Sequence, residues 1–313
     1  MLRPTAHLAN LDLNLLVALR ELIRERNVTR ASERLGITQP AASAALSRLR
    51  RYFDDELLVR GKGGYVLTPL AVQLAEQVEE VCTAAERLFA TSTGFDPATS
   101  QREFTILMAD YTIAVMGERL SRLVYAAAPQ ARLHIRLVRE SLASEYAEAL
   151  RFIDGIVAPP MGPFQHPNIR SAELFQDRLV CVASAQNGLL ETDTPSLEEL
   201  SRLPWVAPYH QGEGHPSAAP ISRQLTLLDI QPRIVVRVES YLAVPYFVMG
   251  TDRVALMQER LAAKFADQLD LRVLECPGQL NPVNEVLWWH ESYKDDAAHA
   301  WLREIIIQAA SEV

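Results

Sequence analysis

The apolar positions Leu15, Leu16, Leu19, Leu22 and Ile23 fall three and four apart and predict an amphipathic first helix. Asn27 and Thr29 are able to cap a second helix over 30–35, which Gly36 closes. Thr38-Gln39-Pro40 opens a third: threonine suits the cap, and proline is tolerated in the first turn because its missing N–H has no helical partner there. At roughly 100° per residue, Ala42, Ala45, Leu46 and Leu49 share one apolar arc of the third helix. Pro40, Ser43, Ala44, Ser47, Arg48 and Arg51 share the opposite side. Two helices joined by a tight turn at Gly36 predict a helix-turn-helix. Two short strands then flank Gly61-Lys62-Gly63-Gly64, a hairpin with Arg60 and Lys62 at its tip.

Thr68-Pro69 marks another helix start. Leu70, Leu74, Val78, Val81, Ala85 and Leu88 then follow at steps close to the 3-4 alternation of a coiled-coil seam. A helix over 69–90 would be about 33 Å long, and the run Thr91-Ser92-Thr93-Gly94 ends it as a linker. Beyond residue 100 strand-like segments (104–108, 132–138, 155–158, 179–183, 205–207, 234–238) alternate with helical ones (113–127, 144–152). Alternation of this kind predicts an α/β body with mostly parallel sheets.

Charge separates the two ends. The whole chain of 313 residues has a net charge of −8, yet residues 1–62 hold 11 Lys+Arg against 7 Asp+Glu. A basic block on an acidic body points to a polyanion partner for that block. The face of the third helix is small, hydroxylated and basic, so it can enter a major groove and still bond to bases and phosphates. Gln39 is suited to pair with adenine, and Arg60 and Lys62 to grip the backbone. The candidate DNA-binding residues are therefore Thr38, Gln39, Pro40, Ser43, Ser47, Arg48, Arg51, Arg60 and Lys62.

Composition excludes several classes. Three separated cysteines, Cys82, Cys181 and Cys276, argue against a zinc ribbon and for a reducing compartment. The start Met1-Leu2-Arg3-Pro4 lacks signal-peptide order, and no apolar run reaches the length of a membrane helix; a cytoplasmic chain is expected. The Gly-Lys-Gly-Gly run lacks Walker spacing, and His210, Glu213 and His215 make a poor metal site in a glycine-rich loop. No hydrolase, metalloprotease or dinucleotide motif stands in the chain, so neither catalysis nor a cofactor is expected.

The run LDLNLLVALRELIRERNVTRASERLGITQPAASAALSRLRRYFDDELLVR, followed by LTPLA, resembles the winged helix-turn-helix of LysR-type transcriptional regulators. It is most similar to the subgroup of nodulation and naphthalene/salicylate regulators, as is the later run LWWH…DDAAHAWLR. Ala44 stands where many relatives carry a longer side chain, and Thr38 where most have serine. The resemblance implies a winged helix-turn-helix over 1–67, a dimerisation linker helix over 68–90, and an effector-binding domain over 91–313. It further implies that this domain is two Rossmann-like lobes similar to type 2 periplasmic binding proteins, set at about 95–170 with 272–313, and 171–271. The partners it implies are double-stranded DNA, a small-molecule effector, a second copy in a homodimer that pairs into a homotetramer, and RNA polymerase.

Ligands of such lobes sit where helices start after strands. That rule selects Asp110, Tyr111, Thr112, Pro159, Tyr209, His210, Ser240 and Tyr241 as effector-binding candidates, with aromatic walls and hydroxyls suited to an aromatic or phenolic acid. The alternative is a small-molecule binding protein whose N-terminal domain is not primarily regulatory.

Overall fold

The computed structural model describes residues 12–61, 64–90, 94–138, 143–190, 192–208, 224 and 232–313. The chain divides into two compact units, Met1–Gly94 and Phe95–Val313.

In the first unit, helix α1 (Leu13–Glu25) is capped by the Asp12 side chain, which accepts from the Asn14 N–H. Helix α2 (Val28–Leu35) is capped by Asn27, whose side chain accepts from the N–H groups of Thr29 and Arg30, so Asn27 and not Thr29 is the cap. Gly36 ends α2 at φ 64°, a left-handed conformation that glycine adopts without steric cost. Thr38 caps α3 (Gln39–Phe53), with Pro40 in the first turn. Leu19, Leu22, Ala31, Leu46, Leu49, Leu57 and Leu58 form the common core. Strands β1 (Leu58–Gly61) and β2 (Gly64–Leu67) pair antiparallel, with Arg60 opposite Tyr65.

Helix α4 (Pro69–Ala90) packs back onto this core through Ala71, Val78 and Cys82. Arg24 of α1 holds it with a forked pair to Glu79, at 2.6 and 3.0 Å. This corrects the expected seam at one position: Val78 is buried in its own domain, because α1 covers that side of α4. Leu74 lies partly against the same core, whereas Val81 (51% exposed) and Ala85 face outward and Leu70 is half-buried.

In the second unit two five-stranded sheets stand among the described residues. The first has the order β4-β3-β5-β12-β6, from β3 (Glu103–Met108), β4 (Arg132–Leu137), β5 (Gly155–Ala158), β6 (Ile169–Asp177) and β12 (Val283–His290). The second has the order β11-β7-β10-β8-β9, from β7 (Leu179–Ser184), β8 (Pro204–Pro208), β9 (Arg233–Val238), β10 (Val254–Gln258) and β11 (Leu271–Leu274). Both are mixed, which corrects the expectation of mostly parallel sheets. In the first, β3 runs parallel to β4 and β5, while β12 runs antiparallel to β5 and β6. The second repeats the pattern, with β10-β8-β9 parallel and β7 and β11 antiparallel.

The lobe boundaries also shift by one strand each. β6 stays in the first lobe because it pairs with β12 along its whole length. β11 belongs to the second because it pairs with β7. Hydrophobic patterning locates strands but carries no information about which partner a strand will choose. The same β7–β11 pairing brings the thiols of Cys181 and Cys276 together, and their contact raises the Cys181 pKa.

Candidate nucleic-acid interface and ligand cleft

The buried arc of α3 is Ala42, Leu46 and Leu49, with Ala45 half-buried beside them. Its opposite side presents Gln39, Pro40, Ala44, Ser47, Arg48 and Arg51 to solvent, with Ser43 partly covered. The Ser47 hydroxyl donates to the Ser43 carbonyl at 3.0 Å, which keeps it close to the helix surface. Arg48 pairs with Asp12 at 2.9 Å. The Asp12 carboxyl sits below its ordinary range, chiefly through the Asn14 backbone N–H and then through Arg48.

Two positioning residues escaped the sequence reading. Arg50 donates to the carbonyls of Glu56 and Leu58, at 2.9 and 2.8 Å, and so ties α3 to the first strand of the hairpin. Glu21, 5% exposed, pairs with Arg20 at 3.1 Å and Arg34 at 3.0 Å, joining α1 to α2. A glutamate on the apolar side of a helix beside scattered arginines was the available signal. Arg60 is exposed on β1, while Lys62 lies outside the described residues.

The second candidate site forms where the lobes meet. Asp110 and Ser240, expected as ligand contacts, touch one another: the Ser240 hydroxyl donates to Asp110 Oδ2 at 2.6 Å. The Leu242 N–H donates to the same oxygen and the Tyr111 N–H to Oδ1. Asp110 therefore supplies the negative charge at this helix start from within the chain. Tyr111 and Tyr241, expected as aromatic walls, are instead 1% and 6% exposed and belong to the core of the second lobe. The Tyr111 hydroxyl donates to Asp177 at 2.5 Å. Burial, then the Asp177 hydrogen bond, pushes the phenol pKa up, so it stays protonated as a donor. Tyrosine at a strand end is equally suited to wall and core, and the packing of two lobes against each other decided for core.

Thr112 is fully buried, and its Oγ1 has no hydrogen-bond partner among the described residues. A π-helical turn, Ile113–Gly117, follows it directly, a feature that often marks functional sites. Pro159 is half-buried after β5. Tyr209 and His210, and the loop carrying Glu213 and His215, lie outside the described residues.

Residues 13–72 match the family of bacterial regulatory helix-turn-helix proteins of the lysR type, and residues 155–311 match the LysR substrate binding domain. The chain is 33% identical over 311 residues to nodulation protein D 2 of Rhizobium tropici, covering 96% of this chain and 93% of the relative. The chain belongs to the LysR family. It is a transcriptional regulator with a DNA-binding helix-turn-helix and an effector-binding domain. A crystal structure described as a probable transcriptional regulator from Pseudomonas aeruginosa is similar at a TM-score of 0.79 and 28% identity, covering 96% of this chain and 97% of that one. The LysR-family fold is likewise shared with full-length CbnR in complex with its target DNA (TM-score 0.65, 18% identity, covering 96% of this chain and all of that one). No helix among the described residues is long and apolar enough to cross a membrane.

Proposed function

We propose that α3 reads operator DNA in the major groove while the β1–β2 hairpin grips the backbone, as a homodimer that pairs into a homotetramer in the cytoplasm and meets RNA polymerase at the promoter. The observation that carries this reading is the exposed face of α3, where Gln39, Ser47, Arg48 and Arg51 surround small residues that leave room for a groove floor. Thr38 and Pro40 set the start of that helix. Val81 and Ala85 of α4, with Leu70 and Leu74 beside them, offer a seam for a second copy, and Leu88 continues it in sequence.

The test separates base reading from charge. Gln39→Ala should weaken cognate operator binding by about 1–3 kcal/mol and relax base preference at one position per half-site. Arg60→Ala should weaken all sequences and flatten the salt dependence by about one unit. Equal loss on specific and non-specific DNA in both variants would sink the assignment.

For the effector, the junction of Asp110, Thr112 and Ser240 supports a small ligand held between the lobes. The buried Thr112 hydroxyl, without a partner among the described residues, is a group a ligand would satisfy. Asp110 already places a carboxylate at the helix start, which favours a phenolic hydroxyl over a carboxylate at that spot. Benzoate-like, salicylate-like and flavonoid-like compounds, titrated against thermal stability and operator footprint, test the class. A ligand at about 100 times its Kd adds about 2.7 kcal/mol of stability. Thr112→Val should lower effector affinity and leave operator binding intact; unchanged affinity would move the pocket elsewhere.

A further inference from the structure

The run from Leu287 to Arg303, which carries the late family resemblance, has no part in the interface or the cleft just described. It builds a cavity of ≈480 Å³ on the first lobe, lined by Arg170, Trp289, Glu291, Lys294 and Arg303. Three cations face one carboxylate there, and that carboxylate is taken: Glu291 pairs with Arg170 at 2.8 Å. Arg170 also donates to the Pro167 carbonyl.

Arg303 is in a different position. Its guanidinium lies over the Trp289 ring, 5.1 Å from the centroid. It donates to Nδ1 of His299 at 2.8 Å, and no carboxylate lies within ion-pairing distance of it among the described residues. His299 is fully buried, stacked on Tyr293 at 4.2 Å, with its Nε2 bonded to the Asp154 carbonyl at 2.7 Å. A carbonyl only accepts, so Nε2 carries the proton and Nδ1 is left as the acceptor that aims Arg303. Burial pushes this imidazole down to about 3, so it brings no charge of its own to the cavity. Burial likewise lowers the Arg303 pKa. A half-buried guanidinium oriented by a neutral histidine and lying on an indole, with Asp296 and Glu304 close enough to act on its charge but neither paired with it, has the fork geometry that grips a carboxylate. The volume suits a small ligand, and the indole beside it adds a flat apolar wall.

We propose that this cavity is a second ligand site, separate from the cleft between the lobes, for a small planar organic carboxylate. Arg303 binds the carboxylate with Lys294 adding charge at the mouth, Trp289 packs on the ring, and His299 is a positioning residue.

The experiment is calorimetric titration of the full chain with benzoate, with cyclohexanecarboxylate (the same charge on a puckered ring), and with inorganic phosphate. The wild type should bind benzoate saturably, at least five-fold more tightly than cyclohexanecarboxylate or phosphate. Arg303→Gln should weaken benzoate at least ten-fold while leaving operator binding unchanged, and Trp289→Leu should abolish the preference for the flat ring. Thr112→Val should retain this binding. Should Arg303→Gln fail to fold, Arg303→Lys keeps the charge without the fork and should still lose at least three-fold. No benzoate binding by the wild type overturns the proposal, as does binding that survives at Arg303 but is lost in Thr112→Val, since that ligand sits in the cleft. Phosphate binding as tight as benzoate overturns the planar class.

Discussion

The two candidate sites present the same kinds of side chain in opposite ways. On α3 the glutamine, serine and arginines point into solvent, held in place by a helix whose other side is core. At the lobe junction Tyr111 is buried and Asp110 and Ser240 are half-buried, and the three bond mainly to one another or to Asp177. A helix sorts its faces by a local rule, 3.6 residues per turn, so one buried arc dictates one exposed arc. A strand end has no such rule: its polar residues meet ligand or protein according to how two distant segments close on each other. Substitutions should thus act oppositely in the two regions, costing function with little stability on α3 and costing stability at the junction.

The largest effect is expected inside the second unit. Arg102 binds Asp154 at 2.7 Å and Asp296 at 2.8 Å, with Asp154 buried. Arg102→Met strands those carboxylates and should cost about 3–5 kcal/mol in urea unfolding of the full chain. A loss under 1 kcal/mol would mean the network is solvated.

Next comes a pH dependence. His299 titrates near 3 in the fold against an ordinary 6.5, a depression caused first by burial. The unfolded chain therefore takes up a proton that the folded chain refuses. This contribution is whole above pH 6.5 and is lost as pH falls towards 3. Between pH 6.5 and 5 the loss should be about 2 kcal/mol, measured as the difference between wild type and His299→Gln. The difference isolates His299 from Asp154, whose pKa burial raises and which works in the opposite sense. Parallel pH profiles for the two proteins would contradict a neutral, buried imidazole.

Tyr111→Phe tests the comparison at the junction itself. Removing the donor to Asp177 should cost about 1.5 kcal/mol, the scale of a hydrogen bond to a charged group. A variant as stable as wild type, with weakened effector binding, would return Tyr111 to the ligand wall. Smallest of all, Gln39→Ala should shift unfolding by no more than about 0.5 kcal/mol, because the side chain is exposed at the helix start. Strong destabilisation there would show that α3 needs Gln39 for its fold and would blur the contrast.

Several features followed from the sequence alone. The apolar spacing placed α1, α3 and α4, Thr38 and Thr68 placed the starts of α3 and α4, and Gly36 placed the turn, because each rests on contacts a few residues apart. The exposed face of α3 came with them, since periodicity alone orients it. What the tertiary structure decided all involves partners far apart in the chain. Val78 turned inward because α1 covers it, and β6 and β11 changed lobes through the strands they pair with. Tyr111 became core and Asp110 a link to Ser240 because the second lobe closes over that helix start. Arg303 came to share a cavity with Arg170 of β6 and Trp289 of β12, which the pairing of those strands sets side by side. Local backbone geometry repeats with a known period and is written in neighbouring residues. The pairing of distant segments is set by the free energy of the whole packed chain, which no short stretch of sequence contains.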